Sequence, residues 1–85
     1  ADRGVQAYVG IVTEPKAARE VTRKLARLPE LRQLCSVSGE FDYIALLRAE
    51  STQRLDALLD EIGEIAGVLK TTTSVVLALR LDRTA

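Results

Sequence analysis

Along 85 residues the spacing of apolar side chains passes from the period of a strand to that of a helix and back, twice over, and few folds accommodate that order. Val5, Ala7, Val9 and Ile11 sit at alternate positions, which is the repeat of a strand with one face buried. Pro15 follows and suits the first turn of a helix, where its missing N–H costs nothing. Ala18, Val21, Leu25 and Leu28 then recur at steps of three and four, one face of a helix, and Pro29 stops it by biasing Leu28 away from helical angles. Leu31 to Ser38 alternates again, with Leu31, Cys35 and Val37 expected on one side. After a turn at Gly39 to Asp42, Tyr43 to Ala49 is a nearly continuous apolar run, as a central strand requires. Ser51 or Thr52 supplies an N-cap for a second helix carrying Leu55, Leu58, Leu59, Ile62 and Ala66, with Gly67 as its C-terminal cap. Val68 to Leu81, rich in Thr and Val, reads as a long last strand.

The order is β-α-β-β-α-β in one domain spanning residues 1–85, and residues 5–38 and 43–81 repeat the same strand-helix-strand unit. With right-handed crossovers, two interlocked units give an α+β, ferredoxin-like fold: a four-stranded antiparallel sheet with both helices on one face. The other face is left bare, yet its residues are not polar. Val75, Leu77, Leu79 and Leu81 point one way on the last strand and Val76 and Ala78 the other; on the first, Tyr8 and Val12 oppose Val9 and Ile11. At about 25 cal/mol per Å², leaving an aliphatic sheet face in water is costly. A chain of this length also buries only about 60–65% of its unfolded surface. A homodimer formed through the sheet answers both needs. Twelve basic and twelve acidic residues leave a formal net charge of zero, which offers little resistance to self-association and argues against direct nucleic-acid contact by this segment.

Enzyme chemistry is poorly supplied. The chain has no His and one cysteine, so there is no Cys–His pair, no disulfide within the chain and no metal-ligand cluster; Cys35 reads as a buried structural thiol. Asp56, Asp60, Glu61 and Glu64 form a solvated face of the second helix. Lys16, Arg19, Arg23, Lys24 and Arg27 make the first helix basic, and the two helices, side by side, are expected to answer each other's charge. No apolar stretch is long enough to span a membrane and no signal-peptide pattern opens the chain, so a cytoplasmic location with no membrane partner is expected. A start at Ala1 without Met points to an excised domain, a processed N-terminus or an incomplete chain.

Two polar clusters interrupt the apolar elements. Ser38, Gly39, Glu40, Phe41 and Asp42 make a turn, with Gly39 at positive φ; Thr71, Thr72, Thr73 and Ser74 head the last strand, where β-branched residues are at home. Together they supply backbone N–H donors, a carboxylate and several hydroxyls, the complement of a zwitterionic amino acid.

These pieces in this order resemble the effector (RAM) domain of the Lrp/AsnC, or feast/famine, transcription regulators. The likeness rests on Val37-Ser38-Gly39-Glu40-Phe41-Asp42-Tyr43, then an apolar strand and an amphipathic helix, then Ala66-Gly67-Val68 running into Thr71-Thr72-Thr73-Ser74-Val75-Val76-Leu77. The family pattern is V-x-G-x-[FY]-D followed by P-G-V and T-x-T-S-x-V-V-L; Ala66 departs from it where proline is common. Only four residues precede Val5, so no helix-turn-helix stands ahead of the domain in this chain. The resemblance implies a regulator's amino-acid effector-binding domain without cofactor or catalysis. It implies dimers joined through their sheets and assembled into rings, often octamers. The effector site it implies comprises Gly39, Glu40, Phe41 and Asp42 with Thr71, Thr73 and Ser74. Asp42 would take the α-ammonium; N–H groups near Gly39 and the Thr71 and Thr73 hydroxyls would take the carboxylate or side chain. Three other readings compete. An ACT-type sensing domain shares the element order but favours a glycine in the first loop, which here reads Thr13-Glu14-Pro15. A small enzyme of the dimeric α+β-barrel type lacks its usual catalytic groups, and a ligand-free dimerisation module would not need both polar clusters.

Overall fold

A computed structural model of the chain describes residues 4–84. Strand β1 (Val5–Thr13) leads through a single 3-10 turn (Pro15–Ala17) into helix α1 (Ala18–Leu25). Strands β2 (Leu31–Ser36) and β3 (Tyr43–Ala49), helix α2 (Thr52–Gly63) and strand β4 (Val68–Val75) follow. All strand pairings are antiparallel, in the order β2-β3-β1-β4, the ferredoxin-like arrangement. The core lies on one side of the sheet. Ala7, Val9 and Ile11 of β1 and Ala45, Leu47 and Ala49 of β3 pack against Val21 and Leu25 of α1 and Leu55, Leu58 and Ile62 of α2, all buried. Pro15 opens the 3-10 turn that leads into the first helix, and the Ser51 hydroxyl accepts the Arg54 N–H at 3.0 Å to cap the second, as the sequence indicates.

Several expectations need correction. Strand β4 ends at Val75, not Leu81: its last pair with β1 is Val75 with Ala7, only two residues from the start of β1 at Val5, and one more bond, Val76 N–H to Gln6 O at 2.8 Å, follows before the chain turns irregular. The register of β2 shifts between Leu31 and Gln33, so an extra residue reverses the alternation. Leu31 and Leu34 therefore oppose Leu47 and Ala45 on the helix side, while Cys35 opposes Ile44 on the open face and is exposed rather than a buried structural thiol. Among the described residues the charges of the two helices form no direct ion pair with each other. Glu20 pairs with Arg23 inside α1, and Arg54 of α2 reaches Glu30 at 2.7 Å and Glu61 at 3.1 Å. None of these joins a basic residue of α1 to an acidic one of α2. Finally, α2 stops at Gly63, and Gly67 (φ +97°) turns the chain into β4 instead of capping the helix directly. A Cβ there would lie 2.2 Å from the Ala17 Cβ, so the bare backbone is what lets this corner close on the start of α1.

The open face is apolar along its middle and polar at its edges. Tyr8, Gly10 and Val12 of β1 and Ile44 and Leu46 of β3 occupy the centre; Gln33 of β2 and Lys70, Thr72 and Ser74 of β4 flank them. Residues 76–84 are irregular. Leu79, Leu81, Asp82 and Thr84 roof a slot of about 480 Å³ floored by Gln6, Tyr8, Gln33, Leu46 and Arg48. The tail leucines are left in water, at 94% exposure for Leu77, 69% for Leu79 and 65% for Leu81.

Candidate functional site

The Gly39–Asp42 turn is fastened to the end of β1 by its last two residues. Val37 N–H donates to Asp42 O at 3.0 Å and closes the loop; Asp42 N–H donates to Ile11 O at 2.9 Å. The Asp42 carboxylate then accepts the Thr13 N–H through Oδ2 at 2.9 Å. The β1–β4 register breaks between Val12 and Thr13, and it is beside this break that the carboxylate takes the Thr13 donor. Gly39 has φ +102° and open space around it, so its role is conformational.

Phe41 folds beneath the sheet. Its ring lies against Gly10 on the open face, where a Cβ would stand 2.7–2.8 Å from three ring carbons. A glycine inside a strand marks a close approach of this kind. Gly10 is thus a sequence signal for the place where Phe41 docks. Thr13, buried at 6% exposure, has no such signal; no side-chain pattern announces a backbone donor.

The second cluster meets β1 from its other edge. Thr71 opposes Ile11, Thr72 opposes Gly10, Thr73 opposes Val9 and Ser74 opposes Tyr8. Tyr43 opposes Ile11 from the β3 side, so the turn and Thr71 sit at one end of the sheet with β1 between them. Two strand spacings, about 10 Å, separate them. Directly paired residues share a face, so Thr71 and Thr73 incline toward the helices while Thr72 and Ser74 lie on the open face. The fold thus gathers Gly39, Glu40, Phe41 and Asp42 with Thr71 at one sheet end. Thr73 is one pleat farther along, and the Ser74 hydroxyl is on the opposite face.

None of the seven residues lines the slot beneath the tail or the concavity at the far end of the sheet. Among the described residues neither Glu40 nor Asp42 is in an ion pair, and the Asp42 carboxylate keeps acceptor capacity beyond its bond to Thr13. The surface therefore offers acidic acceptors on one side of β1 and hydroxyls on the other, which suits a ligand bearing an ammonium group and a second polar end. Among the described residues no group of His, Cys, Asp and Glu could hold a metal ion, and no helix is long and apolar enough to cross a membrane.

The family described as the Lrp/AsnC ligand binding domain matches residues 6–85. The HTH-type transcriptional regulator FL11 of Pyrococcus horikoshii is 33% identical over 76 residues, 87% of this chain and 50% of the regulator. A feast or famine regulatory protein of M. tuberculosis, solved in complex with L-methionine, superposes with a TM-score of 0.80 at 27% identity, covering 94% of this chain and 54% of that one. A homocitrate synthase of Sulfurisphaera tokodaii shares 27% identity over 86% of this chain but only 16% of its own length. The chain spans about half the length of the regulators it matches.

Proposed function

The chain belongs to the Lrp/AsnC ligand-binding domain family, a family of transcription regulators, and on that footing we propose that it is the amino-acid effector-binding and oligomerisation domain of a cytoplasmic regulator. Its effector site is the Gly39–Asp42 turn with the head of β4. The observation that carries this reading is the Asp42 carboxylate, held on the Thr13 N–H at a sheet end that also presents Thr71. The free acceptor sites of Asp42 take the α-ammonium. N–H groups near Gly39 and the Thr71 and Thr73 hydroxyls serve the carboxylate or side chain, and Glu40, Phe41 and Ser74 frame the site. The gap of about 10 Å between turn and strand is closed by a neighbouring chain, so ligand and assembly are linked.

Two chains pair through their open faces, covering Tyr8, Leu46 and the tail leucines, and such dimers build a ring such as an octamer. DNA contact belongs to a separate helix-turn-helix domain and not to this neutral segment. The homocitrate synthase alignment favours a second parent, an enzyme carrying the same module as a regulatory domain.

Calorimetric titration of each standard amino acid into the wild type, D42N and D42A tests the site. Asn retains an oxygen for the Thr13 N–H but loses the charge. D42N is therefore expected to keep the fold and lose roughly tenfold or more in affinity. Wild-type affinity in D42N would remove Asp42 from the site.

A further inference from the structure

A second polar concavity, of about 610 Å³, opens at the sheet end opposite the Asp42 turn, lined by Gly4, Pro29, Glu30, Arg32, Arg48, Ala49, Glu50 and Arg54. Three arginines and two glutamates are among its lining residues, and Arg48 also borders the slot on the open face. The charges are unevenly paired. Arg54 holds Glu30 through two hydrogen bonds, Nε to Oε2 at 2.7 Å and Nη2 to Oε1 at 3.3 Å, and this contact draws the Glu30 pKa below its ordinary value. Its remaining contact is Glu61. Arg32 and Arg48 have no carboxylate within ion-pair distance among the described residues, and Glu50 is the one unpaired acid in the lining.

Backbone geometry brings these two cations together. Leu31 pairs with Leu47, and the next β2 pairing is Gln33 with Leu46, so Arg32 is the inserted residue of the bulge. Bulges re-aim side chains. Arg48 follows Leu47 on β3, and its N–H donates to Glu30 O at 2.9 Å, which fixes the loop before β2 against it. Arg32 and Arg48 are thus near-diagonal neighbours on adjacent strands at the bulge, an arrangement in which long side chains come within mutual reach. The concavity also borders the first turn of α2, which carries no acidic residue and contributes the positive end of its dipole.

We propose that this concavity is a binding site for a small oxyanion, a phosphate or a phosphate-bearing metabolite, gripped by Arg32 and Arg48 with Arg54 behind them. Planar guanidinium groups suit such oxygens because each offers paired donors. Glu50 opposes the anion and sets a modest affinity. The site is separate from the amino-acid surface and gives the domain a second chemical input.

The test is titration of inorganic phosphate into the intact chain, followed by amide NMR shifts at low ionic strength. The expected result is saturable shifts confined to residues 29–32, 48–50 and 52–54. R32Q weakens binding roughly tenfold and R32Q/R48Q abolishes it. E50Q strengthens it roughly two- to fivefold, by removing a like charge. Arg32 does not line the slot on the open face, so R32Q reads this site apart from assembly. Amino-acid binding by R32Q stays at the wild-type level, so either reading can fail without the other. Absence of shifts in the wild type, or wild-type phosphate affinity in R32Q/R48Q, would overturn the proposal.

Discussion

Substituting Gly10 by alanine probes the packing that holds the candidate site in place. Gly10 does not sit in the left-handed region, so the added methyl acts through contact alone. Its carbon would stand 2.7 Å from one carbon of the Phe41 ring and 2.8 Å from two more, against an ordinary carbon–carbon contact of about 3.5–4 Å. The ring must retreat by about an ångström. Phe41 is bonded to Asp42, whose N–H and carboxylate hold Ile11 and Thr13, so the displacement pulls on both hydrogen bonds. Overpacking of this size costs ~1–3 kcal/mol. For a chain this short each kcal/mol lowers Tm by roughly 4–8 °C. Urea unfolding of wild type, G10A, F41L and G10A/F41L, at one fixed protein concentration, measures it. The smaller side chain relieves the clash, so the double variant should be more stable than the sum of the singles by about 1 kcal/mol or more. Amino-acid affinity should fall in G10A and recover in part in the double variant. A G10A chain within about 0.5 kcal/mol of wild type, or strictly additive singles, would refute the account of Phe41 as the anchor of the turn.

Other perturbations follow from the same structure. G67A places a methyl 2.2 Å from the Ala17 Cβ and forces a non-glycine residue to φ +97°, so it should destabilise by several kcal/mol (about 1–3 from the backbone alone), and A17G should restore part of this in urea unfolding. Glu30, held by Arg54, has a native pKa below its ordinary 4.5, so its contribution is present above that value and is lost as pH falls through the lower native one. E30Q should therefore flatten the acid limb of the stability–pH curve below about 4.5 and leave its slope near neutrality unchanged. Cys35, exposed on the open face opposite Ile44, should react readily with a thiol reagent in dilute chain and be protected as concentration rises. Equal rates across that range would mean that assembly does not cover the sheet.

Much of the fold was legible because its signals are local. The alternation of Val5 through Ile11 survives intact in β1, and the run from Tyr43 to Ala49 coincides with β3, which is paired on both sides. The failures come from partners distant in sequence. Nothing within Leu77 to Leu81 says that β1 begins only two residues beyond the Ala7–Val75 pair, so a strand-like stretch becomes an irregular tail. The bulge after Leu31 hides in a segment too short to show a break in period, although the spacing of three between Leu31 and Leu34 is its trace. At the site, the turn and the threonine strand could be picked out by residue type. Their separation by β1 could not, nor the placement of Ser74 on the face away from Thr71 and Thr73, because both depend on register across three strands.

The slot beneath the tail and the leucines above it bear on the central claim, that this domain works as an assembly built on its open sheet face. Burying one leucine is worth ~1.5–3 kcal/mol, and Leu77, Leu79 and Leu81 stand mostly in water in the single chain. The most direct measurement is the light-scattering mass of the purified chain, alone and with each standard amino acid. The account predicts a dimer or larger ring whose mass shifts with at least one amino acid, and whose wild-type chain exceeds the mass of L77S/L79S/L81S. A monomer under every condition would contradict it.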